Sequence, residues 1–79
     1  MSDKDPSLVK LGQNIRKIRE ARDLSQEDLA LQADLDRTYV GGVERGERNI
    51  TVLSALKLCK SLRCDLTELV VGVSAAAIN

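Results

Sequence analysis

Four good helix-capping residues, Ser25, Asp36, Thr51 and Asp65, punctuate the chain so closely that no long helix fits between them. Each is followed by apolar residues at helical spacing, and no period-two run is long enough for a strand. Asp5, with Pro6 in the first turn behind it, opens one more helix ahead of these four. The chain is therefore expected to be all-α, built of five short helices joined by tight turns. Leu8, Leu11, Ile15 and Ile18 draw the inner stripe of the first helix, and Arg16, Lys17, Arg19, Glu20 and Arg22 fill its other faces. Ser25 and Asp28 have capping-box spacing, and Leu29, Ala30 and Ala33 face inward behind them. Asp36 opens a third helix from Arg37 to about Arg45, where Gly46 suits a left-handed stop. Thr51 starts a fourth with Val52, Ala55, Leu56, Cys59 and Leu62 expected inward. Asp65 pairs with Glu68 at the start of a fifth, which Gly72 ends.

The 79 residues allow one domain, 1–79, with a small core. There is no histidine, tryptophan or phenylalanine, and Tyr39 is the single aromatic residue. Without His there is no Ser–His or Cys–His pair, and the two cysteines lack metal-ligand spacing. No enzyme activity, metal or cofactor is expected. One ring makes no stacking platform for single-stranded nucleic acid. Twelve basic and twelve acidic residues cancel, so any face for DNA must come from local arrangement. On one continuous helix Cys59 and Cys64 would have Cα atoms roughly 8–9 Å apart, too far for a disulfide. Both read as small buried hydrophobes. Met1–Pro6 is polar and Leu69–Ile78 is too short to span a bilayer, so a reduced, cytoplasmic protein with no membrane partner is expected.

Residues 25–45 carry the functional signal. Two short helices with a tight turn between them match a helix-turn-helix, whose second helix enters the major groove of DNA. Such a pair needs a small residue where the helices cross and apolar residues that seat the second helix. Ala30, Leu35, Val40 and Val43 supply all four.

The stretch SQEDLALQADLDRTYVGGVERGERNITVLSALKLCKSL resembles the Cro/C1-repressor-like helix-turn-helix domain. Within that family the phrase LDRTYVGGVERGERNIT is most similar to the controller proteins of bacterial restriction–modification systems. The resemblance covers about residues 10–71. It implies a homodimeric, sequence-specific transcription regulator on a near-palindromic operator, with recognition helices reading half-sites about 34 Å apart. It further implies operators upstream of the protein's own gene and the endonuclease gene, activation when scarce and repression when abundant. Two dimers on one operator and contact with RNA polymerase belong to the same picture. A stand-alone phage- or plasmid-type repressor, and an antitoxin or other protein-interaction module of the same fold, are the alternatives.

The resemblance puts base contacts at Arg37, Thr38, Tyr39, Gly41 and Gly42. Arg37 can offer two donors to guanine O6 and N7. Thr38 can bond a base or a phosphate, and Tyr39 can meet a thymine methyl or a phosphate. Two glycines inside the helix cost roughly 2 kcal/mol in propensity relative to alanine. They leave discrimination to Arg37 and DNA shape while letting the backbone approach closely. Gln26, Arg45, Arg48 and Asn49 match phosphate-contacting positions, whereas Arg16 and Lys17 read as solvated. Arg19 and Glu44 match an internal ion pair between first and third helices. Leu53, Leu66, Val70, Val71 and Val73, with Ile78, are more apolar surface than a small domain hides, and mark a dimerisation region at about 52–79. Leu69 is expected to close the monomer core.

Overall fold

Every principal helix begins where a side chain can accept its free N–H groups. The structure, a computed structural model, describes residues 4–77. Its elements are α1 (Pro6–Ala21), α2 (Gln26–Ala33), α3 (Arg37–Glu44), α4 (Val52–Leu62), α5 (Leu66–Leu69) and a final 3-10 turn, Ala75–Ala77. Ile78, expected on the dimer surface, lies outside the described residues, as do the two extreme ends of the 1–79 domain. Asp5 accepts from the Ser7 N–H at 2.8 Å, with Pro6 at the first helical position. Ser25 Oγ accepts from the Asp28 N–H at 3.0 Å and Asp28 Oδ2 from the Ser25 N–H at 3.0 Å, a complete capping box. Asp36 caps α3 through the Thr38 N–H at 2.8 Å, and Thr51 caps α4 through the Ser54 N–H at 3.0 Å. At α5 the Asp65 N–H donates to Glu68 Oε2 at 2.7 Å.

α1 packs on α3 and α5, α2 on α3 and α4, and α4 on α5. Ile15, Leu29, Val40, Val43, Leu58, Leu62 and Leu69 are fully buried where these helices meet. The inward face of α4 is Ala55, Leu58, Cys59 and Leu62. Val52 and Leu56, expected inward, are 72% and 49% exposed. α2 and α5 both pack on α4, and Val52 and Leu56 fall outside the face that is covered. Gly12 shows why α1 and α3 can touch: a Cβ there would collide with the backbone carbonyls of Val43 and Glu44. Asn14 of α1 and Arg22, the residue that ends it, tie the C-terminal half to this helix. Asn14 Nδ2 donates to the carbonyls of Leu69 at 2.8 Å and Val71 at 2.7 Å, and Arg22 Nε donates to Leu62 O at 2.9 Å. The last of these satisfies a carbonyl that the end of α4 leaves free.

The cysteines do not lie on one continuous helix. α4 stops at Leu62, and Arg63 takes the left-handed conformation (φ 55°). The Cys64 N–H then folds back to Cys59 O at 3.1 Å, the long bond of a Schellman turn, and brings the two residues together. Both are free thiols. Burial, reinforced by the neighbouring thiol, pushes Cys64 up to about 11, and burial also raises Cys59.

Candidate nucleic-acid interface

α2 and α3 cross at Ala30, which is buried, and the turn between them begins with Asp34 in the left-handed conformation (φ 55°). Val40 and Val43 sink into the core, and Leu35 and Tyr39 pack partly against it. Seating α3 by these residues leaves Thr38 and Arg45 on the opposite, solvent-facing side. Gly41 and Gly42 occupy the face between them. Arg37 projects from the first turn on the side nearest α2, the end of a recognition helix that meets base edges. Tyr39 is half-buried at the other edge.

Beneath this face lies a polar network that joins three helices. Arg19 Nε donates to Glu44 Oε2 at 2.7 Å and Arg19 Nη2 to Glu44 Oε1 at 3.0 Å, a two-pronged pair with both residues buried. Arg19 Nη1 donates to Leu24 O at 2.7 Å, and Gln26 Nε2 donates to Glu44 Oε1 at 3.0 Å. The Glu44 carboxylate raises the Arg19 pKa further above its ordinary value, overcoming the opposing effect of burial. Gln26 is thus held by its amide at the start of α2. Its Oε1 lies 3.4 Å from where a Gly41 side chain would begin.

Two of the arginines facing solvent, Arg37 and Arg45, have acids beside them. Arg37 Nε is 3.8 Å from Glu27 Oε1, and Arg45 Nε donates to Glu47 Oε1 at 3.0 Å. Glu47 also meets Lys4 Nζ at 3.4 Å, and the Arg45 guanidinium holds its carboxyl below the ordinary value. This pairing explains how a face rich in arginine coexists with a net charge of zero. Gln26, Arg37, Thr38, Arg45 and Arg48 are gathered around Gly41 and Gly42. Asn49 is exposed farther along the loop after α3, and Arg16 is engaged with Glu20 at 3.4 Å on α1. Sequence reasoning passed over Glu27 and Glu47. The alternation of charge around Arg45 was the available signal for Glu47, whereas Glu27 approaches Arg37 only once α2 and α3 have packed.

A second surface is apolar. Leu53, Leu66, Val70 and Val71 are exposed, at 65%, 40%, 41% and 62%, and Val52 and Leu56 adjoin them. A shallow depression of about 210 Å³ between Leu11, Ile50, Val52, Ala55, Leu66 and Val70 continues this surface. Val73 departs from expectation: it is half-buried and packs against the monomer core instead of projecting into solvent. The chain turns there at Gly72 (φ 76°), with the Val73 N–H donating to Val70 O at 2.9 Å, and Asn14 Nδ2 holds the turn to α1 through Val71 O. No group of three potential ligands among His, Cys, Asp and Glu could hold a metal ion among the described residues, and no described helix is long and apolar enough to cross a membrane.

One helix, a left-handed turn and a second helix seated by two valines constitute a helix-turn-helix, here set in a five-helix domain. The helix-turn-helix family model matches residues 15–69. The control protein C.MunI from Mycoplasma sp is 42% identical over 62 residues, which are 77% of this chain and 84% of that one. The crystal structure of the restriction–modification controller protein C.AhdI from Aeromonas hydrophila is 53% identical. It covers 78% of this chain and 94% of its own with a TM-score of 0.77. A structure of the controller C.Esp1396I, solved as a tetramer in complex with its natural 35 base-pair operator, is 37% identical and covers 85% of this chain and 92% of its own with a TM-score of 0.76. The chain belongs to the helix-turn-helix family and, within it, to the restriction–modification controller proteins. These are transcription regulators and not enzymes.

Proposed function

We propose that the protein binds, as a homodimer, a near-palindromic double-stranded operator upstream of its own gene and of an endonuclease gene. It activates transcription when scarce and represses it when abundant. The observation that carries this reading is the exposed first turn of α3, a helix seated on the core by Val40 and Val43, with Arg37 and Thr38 presented near Gln26 and Arg45. Arg37 reads guanine, Thr38 and Tyr39 add contacts beside it, and Gly41, without a side chain, lets the DNA come close to the helix. Gln26, Arg45, Arg48 and Asn49 hold phosphates and set register without reading sequence. Leu53, Leu66, Val70 and Val71 form the two-fold contact, to which Val52 and Leu56 add area, while Arg19 and Glu44 are structural. The C.Esp1396I complex, a tetramer on its operator, supports placing two dimers of this chain on one operator. Activation further requires contact with RNA polymerase, and the protein acts in the bacterial cytoplasm. A module that reads only protein has no use for arginines gathered on one face, which weighs against an interaction-only role.

Arg37→Ala tests the reading. It is expected to cost about 1–3 kcal/mol of discrimination between operator and scrambled DNA, with little loss on scrambled DNA. Unchanged binding at every sequence would remove Arg37 from the base-reading set.

A further inference from the structure

Gly42 stands in the middle of the recognition helix, where alanine is the better helix former. A Cβ placed there would lie 2.7 Å from Arg48 Cγ, 3.5 Å from its Nε and 3.6 Å from its Cδ. The last two are ordinary contacts and the conflict is with Cγ, low in the stem of the arginine, so no small movement of its tip relieves it and the side chain must be re-aimed. The case of Gly41 differs: its nearest neighbour is Arg45 Nη1 at 3.1 Å, the free end of a flexible chain. Gly42 is buried although it faces away from the core, and Arg48 is exposed. The stem of Arg48 therefore covers the helix backbone while its charge stays in water, the usual division of labour along an arginine. The loop is also anchored to the same residue, because the Glu47 N–H donates to Gly42 O at 2.9 Å.

We propose that Gly42 is a positioning residue for Arg48: its missing side chain lets the arginine lie along the recognition helix with its guanidinium aimed at a DNA phosphate beside the groove. Holding the stem in place before binding reduces the ordering cost at the moment of contact. The proposal rests on the reading of this face as the DNA interface and of Arg48 as a phosphate contact.

The test compares wild type, Gly42→Ala, Arg48→Ala and the double variant. Fluorescence anisotropy follows binding to a duplex from upstream of the gene and to a random-sequence duplex across a salt series, and thermal melts establish that each variant is folded. Each single variant is expected to weaken binding to both duplexes by about tenfold, the worth of one charge-assisted hydrogen bond. Each should make the salt slope shallower by about 1. The double variant is expected to bind no worse than Arg48→Ala alone, since the two changes remove one contact. Wild-type binding by Gly42→Ala beside a weakened Arg48→Ala would overturn the proposal. Losses that add in the double variant would overturn it too, because they mean that the alanine obstructs the DNA directly. An Arg48→Ala protein that binds both duplexes like wild type would instead overturn the phosphate assignment, and the proposal with it.

Discussion

Glu44 accepts from two side chains on two other helices: Arg19 of α1 through two bonds and Gln26 of α2 through one. Its carboxylate thus ties the recognition helix to both neighbours. Glu44→Ala leaves the Arg19 charge buried without its partner and is expected to cost about 3–5 kcal/mol in denaturant unfolding. Replacing both, as Arg19→Met with Glu44→Leu, is expected to recover much of that loss. The cysteines make a prediction in pH. With Cys64 pushed up to about 11, its thiolate fraction is negligible at neutral pH, and alkylation by iodoacetamide should be slow until the solution is well above pH 9. A thiol whose pKa is raised by folding stabilises the protein fully below the unfolded value. Stability should therefore fall as pH climbs from about 8.5 towards 11, which urea unfolding across that range checks.

Among the elements, the approach of α1 to α3 depends on Gly12, whose missing side chain admits the carbonyls of Val43 and Glu44. Backbone cannot step aside as a side-chain tip can. Gly12→Ala is expected to destabilise the fold by at least about 1–3 kcal/mol despite its better helix propensity, read as a fall in Tm. The helix starts were legible in the sequence because a cap is a local event: Asp5, Ser25, Asp36 and Thr51 each bond an N–H two or three residues away. The inward face of α4 was not. Its residues are apolar on more than one side, and which side is buried depends on where α2 and α5 arrive. Leu58 was thus missed and Val52 and Leu56 were misplaced. Pro6, Gly46 and the seating residues Ala30, Val40 and Val43 were readable, whereas Gly12 and the placement of Arg48 over Gly42 exist only between elements distant in sequence or joined by a folded loop. The cysteine geometry failed for a related reason, since the left-handed turn at Arg63 breaks the continuous helix that the spacing argument assumed.

For the whole molecule, two faces stand apart: a polar one where Arg37 and Arg45 lie beside acids, proposed for DNA, and an apolar one on α4 and α5, proposed for the two-fold contact. A two-fold contact counts every change twice, so Leu53→Glu, at a position 65% exposed in the monomer, is expected to weaken the dimer by about 3 kcal/mol or more. Sedimentation equilibrium would show the shift to monomer, and operator binding would fall with it. Neutral overall charge predicts weak hold on arbitrary DNA, so that affinity must come from the matched half-sites. The decisive measurement is anisotropy of the protein on the duplex immediately upstream of its own gene against scrambled DNA of equal length, across a salt series. Binding at least about a thousandfold tighter to the former, falling steeply with salt, is the result expected. Equal and weak binding to both would contradict the assignment of this face to operator recognition.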